Sequence, residues 1–160
     1  TGGERLLGIR GFQEKDIPAV QNILKGGEPY VFAYKEYVYW ILERYFSDTC
    51  YVYEEDSKIL GYIGAVYSAE KNAIFVWQIA VSRAAGKNGI GGHLFTRVLK
   101  CASEKKGVRV EIAINPENIY CQKMVKRVAE KMNFEIEAIG NYNDGIFQET
   151  LYALRALDFE

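Results

Sequence analysis

Four glycines crowd one short stretch of this 160-residue chain: Gly86, Gly89, Gly91 and Gly92. What flanks them restricts the fold more than any other feature. Ahead lies Ala73 to Val81 (AIFVWQIAV), apolar and rich in aromatic and β-branched residues, as in a buried strand. Behind, Ile90, Leu94, Val98 and Ala102 recur every four residues, with Phe95 and Leu99 widening the stripe. That spacing predicts an amphipathic helix. Lys105, Lys106 and Gly107 give it a basic last turn and a glycine stop. A glycine loop feeding a helix N-terminus is an anion cradle, because backbone N–H groups are bare there and no Cβ blocks a phosphate. The loop lacks the G-x-G-x-x-G order of dinucleotide folds and the Gly-Lys-Ser/Thr of a P-loop. Gly86-Lys87-Asn88-Gly89-Ile90-Gly91 is instead of the form z-x-x-G-x-G. A phosphate site and a plain tight turn are both open on this evidence.

Around this unit the chain reads as one domain over residues 1–160, with 49% hydrophobic residues and so a full core. A net charge of −1 gives no bulk attraction to nucleic acid or an anionic membrane. No apolar run reaches transmembrane length, and the first residues are not a secretory leader. Cys50, Cys101 and Cys121 form no C-x-x-C pair, and there is one histidine. Free thiols in a reducing cytoplasm, without a metal site, are expected.

Arg5 to Phe12 reads as a strand and Glu14 to Lys25 as a helix ended by Gly26-Gly27. Tyr30 to Phe46 is dense in aromatic residues, with Tyr37, Ile41 and Tyr45 on one helical face. Its rings suit either core packing or a wall over a pocket for a polar organic molecule. Asp48 to Glu54 and Lys58 to Ser68 form a predicted hairpin that leads into the glycine unit. Val108 to Ile114 is a further strand. Asn115-Pro116-Glu117-Asn118 starts a helix that runs to about Met132, with an asparagine cap at either end of the tetrapeptide. Phe134 to Ile139 and Phe147 to Leu154 close the chain as strands.

The element order and the glycine loop together resemble the GNAT superfamily of N-acetyltransferases. Within it, YFSDTC (Tyr45 to Cys50), FVWQIAV (Phe75 to Val81), INPEN (Ile114 to Asn118) and a last strand with Glu149-x-Leu151 are similar to the diaminobutyrate acetyltransferases of ectoine biosynthesis. The resemblance implies an α/β (α+β) fold: a mixed sheet of about seven strands, flanked by four helices and splayed at the central strand. It implies acetyl-CoA as acyl donor and no metal. Pantetheine would lie along Ile79, Ala80 and Val81, and pyrophosphate on Gly86, Lys87, Asn88, Gly89, Ile90, Gly91 and Gly92. The family's Asn motif falls on Asn118. It also allows a homodimer.

The chain departs from the family pattern in three places. Gly86 and Lys87 stand where Gln or Arg and then glycine are usual in the pyrophosphate loop, and Val125 where a tyrosine often serves as general acid. The D-x-N-S-x-Y segment that holds the amino-acid substrate in the ectoine enzymes reads Phe32-Ala33-Tyr34-Lys35-Glu36-Tyr37 here.

The implied reaction moves acetyl from acetyl-CoA to the amine of a small molecule or amino acid, by direct attack in a ternary complex. A base must deprotonate the amine. The central strand offers only Gln78, so Glu149 is the candidate base, with a plain edge-strand glutamate as the alternative. Tyr120 is the candidate donor to the leaving thiolate. Tyr34, Tyr37 and Trp77 are the candidate acceptor wall. A non-catalytic acyl-CoA sensor and a protein or peptide N-acetyltransferase are the alternative functions.

Overall fold

The computed structural model describes residues 8–85 and 88–157. Its sheet begins with three antiparallel pairings along the chain. β1 (Ile9–Gly11) pairs with β2 (Tyr51–Glu55), β2 with β3 (Lys58–Ser68), and β3 with β4 (Ala73–Val81). β4 then pairs parallel with β5 (Arg109–Ile114), which needs a crossover, and α3 (Ile90–Ser103) supplies it. β5 pairs antiparallel with β7 (Gln148–Ala156), and β7 with the edge strand β6 (Phe134–Asn143). The order is β1-β2-β3-β4-β5-β7-β6. With α1 (Ile17–Lys25), α2 (Glu36–Phe46) and α4 (Ile119–Lys131), the described residues hold seven strands and four α-helices.

Alternation along the strands feeds two apolar clusters, one on each face of the sheet. Tyr51 and Tyr53 join one face and Val52 the other. The first face is covered by α3 and α4, through Leu94, Phe95 and Val98, and Met124, Val125 and Val128. The second is covered by α1 and α2, through Ile17, Val20 and Leu24, and Tyr39 and Leu42. Each such side chain, once buried, contributes about 1.5–3 kcal/mol.

Several boundaries differ from expectation. The first strand spans only Ile9–Gly11 of the expected Arg5–Phe12, and Arg5 to Leu7 lie outside the described residues. Glu14–Asp16 form a 3-10 turn before α1, because the Asp16 carboxylate accepts from the Gln13 N–H and from Arg10. β6 continues to Asn143, since its pairing with β7 holds through Asn143↔Gln148.

Two irregularities in β4 position the site. Its ladder to β5 runs only from Ala73↔Arg109 to Val76↔Ile112. Beyond that β4 follows β3 to Val81, while β5 follows β7 to Ile114, so the two strands part. On the other side Ala65 faces Val76 and Gly64 faces Gln78, leaving Trp77 with no opposing residue. Trp77 is thus the extra residue of a β-bulge at the point of splay.

Candidate active site

The bulge puts two consecutive residues on one face. Val76 and Ile79 belong to the α3–α4 side, whereas Trp77 and Gln78 both line a cavity on the other side. This cavity, about 420 Å3, has walls of Phe32, Tyr34, Phe75, Trp77, Tyr142 and Phe147. The rings are set against one another. Phe32 meets Phe147 edge-on at 5.7 Å, and Tyr34 tilts against Trp77 at 5.4 Å.

Gln78 is buried and builds the wall. Its Nε2 donates to the Phe32 carbonyl at 2.6 Å, and its Oε1 accepts from the Tyr39 hydroxyl at 3.0 Å. The Tyr34 N–H donates to the same hydroxyl at 3.0 Å, and Gln21 Nε2 donates to the Tyr34 carbonyl. The segment before α2 is therefore laced to β4 and α1 by side chains, because it has no strand or helix bonds of its own.

A second cavity of about 210 Å3 lies across the splay. It is lined by Ile79, Ala80 and Val81 of β4, Gly91 of α3, and Asn118, Tyr120, Cys121 and Met124 at the start of α4. A narrow space of about 60 Å3 joins the two cavities, between Trp77 and Ile79 on β4 and Ile112 to Ile114 on β5. Tyr30 and Val31 line all three spaces and bridge the cleft. The Tyr30 hydroxyl reaches the Glu117 carbonyl at 3.4 Å.

Glu149 lines both the aromatic cavity and the joining space. Burial raises its carboxyl above the ordinary glutamate range. Cys121 faces the same space, and burial, with the nearby Glu149 charge, pushes its thiol up to about 11. It is a neutral thiol at physiological pH.

The anion loop is partly visible. Gly86 and Lys87 lie outside the described residues. Gly89, at φ 74, is the N-cap of α3, a left-handed conformation that glycine adopts without strain. Helical bonding starts with the His93 N–H donating to the Gly89 carbonyl, so the N–H groups of Ile90, Gly91 and Gly92 are the bare first turn. The Ile90 side chain is buried, and a Cβ on Gly92 would meet Val128 of α4 at 3.5 Å. Asn88 is exposed, and its amide donates to the Ala85 carbonyl. Asn118 caps α4, its Oδ1 accepting from the Cys121 N–H at 3.2 Å.

Of the expected acceptor wall, Tyr34 and Trp77 line the cavity and Tyr37 does not. Tyr37 is 69% exposed and stacks on Trp40 at 6.0 Å on the outer face of α2. Two residues along a helix turn about 200°, and Tyr39 takes the inward side. Val125 is fully buried and has no acidic proton to donate. Phe32, Phe147, Tyr142, Gln78 and Cys121 also line these spaces. Residue order hides Phe147 and Tyr142, which the β6–β7 hairpin brings in, and the inward turn of Gln78, which the bulge produces.

The acetyltransferase (GNAT) family matches residues 17–129 of this chain. The chain belongs to that family. It is an acetyl-CoA-dependent N-acetyltransferase. It is 30% identical to an L-2,4-diaminobutyric acid acetyltransferase of Virgibacillus pantothenticus over 107 residues, covering 66% of this chain and 67% of the relative. It is 25% identical to the enzyme of that name from Marinococcus halophilus, covering 71% and 66%. The chain thus spans about two thirds of the length of these curated relatives. Among solved structures, the diaminobutyrate acetyltransferase of Paenibacillus lautus, in complex with L-2,4-diaminobutyric acid and coenzyme A, shares the fold. Its TM-score is 0.77 at 24% identity, covering 91% of this chain and 92% of that one. Ard1 of Thermoplasma volcanium shares it at TM-score 0.75 and 22% identity, covering 94% and 97%. Among the described residues no cluster of metal-ligating side chains is present, and no helix is long and apolar enough to cross a membrane.

Proposed function

We propose that this transferase acetylates a small primary amine held in the aromatic cavity, with Glu149 receiving the proton that the amine gives up. The observation that carries the reading is the place of Glu149. It is the only carboxylate among the described residues lining the aromatic cavity and the joining space, and it lines both. The acyl donor fits the opposite side. The splay leaves the β5-facing edge of Ile79 to Val81 without a strand partner, and the bare first turn of α3 lies at the end of that edge.

A primary amine with pKa ~10 is neutral about once in a thousand molecules at pH 7. Glu149 supports the reaction by taking a proton from the ammonium, directly or through a water. A carboxyl raised by burial is the better base for this task. The new C–N bond forms as the C–S bond breaks. The carbonyl oxygen gains charge and needs an N–H donor, for which the free backbone edge of β4 is the candidate. The thiolate takes up a proton, for which Tyr120 on the donor side is the candidate group.

The curated relatives named above act, by their names, on L-2,4-diaminobutyric acid. That supports a small amine acceptor. The partners are then acetyl-CoA and the amine, with a second copy of the chain as the assembly the resemblance allows. The unpaired Cys50, Cys101 and Cys121 support a reducing compartment, the cytoplasm. The test is CoA-thiol release with acetyl-CoA and a panel of amines, beside a melting scan with acetyl-CoA alone. Saturation at a hundred times Kd adds about 2.7 kcal/mol of stability. Glu149→Gln should leave that shift intact and lower kcat by ~10²–10⁴. An unchanged kcat would remove Glu149 from the mechanism.

A further inference from the structure

Resting on the transferase reading above, we infer that the acceptor is a primary amine carried on an aromatic or other apolar body and bearing no carboxylate. The aromatic cavity offers a cation ring faces and a carboxylate, and among its described lining residues it offers an anion no positive charge. No Lys, Arg or His is among the described residues that line it, and Glu149 is its one carboxylate.

The neutral donors that might replace a cation are mostly committed. The hairpin beside Phe147 spends its N–H groups on itself. Gly145 N–H donates to Asn143 Oδ1, and those of Ile146 and Phe147 to Asp144 Oδ1. The Gln78 amide is occupied by Tyr39 and the Phe32 carbonyl. The Tyr142 hydroxyl donates to Asp144 Oδ2 at 3.0 Å, which adds a second negative charge near the mouth. The Asn141 amide accepts from Thr150 through Oδ1 at 3.3 Å, and its Nδ2 is a neutral donor with no charge to set against a carboxylate.

A carboxylate drawn in here leaves water without a charged partner, meets the negative faces of the rings and is repelled by Glu149. An ammonium gains on every one of these counts, since ring faces attract cations and Glu149 pairs with it. Size points the same way. A cavity of about 420 Å3 lies in the range that drug-sized ligands fill, well above a four-carbon diamino acid. Phe32 and Tyr34 fill this wall with rings where a charged side chain would be needed to hold a carboxylate.

The test uses the full chain with acetyl-CoA and matched pairs that differ only by the carboxylate: phenethylamine against phenylalanine, tryptamine against tryptophan, and 1,3-diaminopropane against L-2,4-diaminobutyric acid. Thiol release should give kcat/KM at least about 100-fold higher for the amine of each aromatic pair. Tyr142→Arg, at an exposed position on the edge strand, puts a cation at the mouth and should shrink that ratio at least tenfold. Equal values within the pairs, or diaminobutyrate as the best acceptor with the aromatic amines inert, overturns the inference. Binding separates this from failure of the transferase reading. With CoA present, phenethylamine should raise the melting temperature and phenylalanine should not, whether or not thiol is released. If phenylalanine gives the larger shift, the inference is wrong even where no compound turns over.

Discussion

Tyr39 donates its hydroxyl proton to Gln78 Oε1 at 3.0 Å, and its hydroxyl oxygen accepts the Tyr34 N–H at 3.0 Å. One buried phenol therefore fastens the acceptor wall to the bulged strand. Tyr39→Phe deletes both bonds and leaves a buried amide oxygen and a backbone N–H unmet. The expected cost is about 1–3 kcal/mol in a urea titration. In kinetics, KM for the amine should rise several times more than KM for acetyl-CoA. Equal rises would show that the network only stabilises the fold.

Glu149 couples activity to stability through pH. Burial holds its carboxyl above the ordinary value of about 4.3. The folded chain thus keeps the proton more tightly than the unfolded chain. Its contribution to stability falls as pH rises from the ordinary value through the raised one, and the penalty is complete above that. As a base it works only in the ionised form, so kcat/KM should climb across the same window and then level off. Glu149→Gln should lose that limb of the pH profile and melt no lower than the parent at pH 7. A variant that is both inactive and clearly less stable would assign the residue to structure.

Arg10 holds Asp16 by two bonds of 2.8 Å and Glu54 by a third. Burial pushes the Asp16 carboxyl up, but the Arg10 guanidinium and the Gln13 N–H outweigh it and set it below the ordinary range. Its stabilisation is therefore present above pH ~4 and lost as pH falls through the lowered value. Asp16→Asn should cost about 2 kcal/mol at pH 7, with a deficit that shrinks at pH 2–3. A deficit independent of pH would mean that shape, not charge, matters there.

Gly61 of β3 sits beneath the start of α3. A Cβ there would stand 2.8 Å from Ile90 Cγ2 and 2.9 Å from Leu94 Cδ1. Gly61→Val should cost about 1–3 kcal/mol. By lifting the first turn of α3, it should also weaken acetyl-CoA binding at least as much as it weakens the fold. Calorimetry showing an unchanged Kd would separate helix placement from donor binding.

Elements with strong period were legible in the chain. The α3 stripe from Ile90 to Ala102 and the apolar run of Ala73 to Val81 appear where expected. Long-range relations were not. Phe32 touches Phe147, 115 positions away, and nothing in either local stretch announces it. Tyr37 and Tyr39 present the same chemistry to a reader of the chain. Only the packing of α2 on the sheet decides that Tyr39 turns inward and meets Gln78. Glu149 and Trp77, which line the cavity, stand out in the chain because they lie within short motifs. The bulge at Trp77 was not, because one extra residue hardly disturbs an apolar run.

That extra residue separates two properties of the enzyme. Without Trp77, Val76 and Gln78 would be neighbours facing Ala65 and Gly64, and β4 would be an ordinary strand with every other side chain on its present face. The sheet counts complete at one residue fewer. The aromatic wall and the parting of β4 from β5 both begin at this one inserted residue, so a single unit of chain length marks where the strand stops serving the sheet alone and starts serving the cavity.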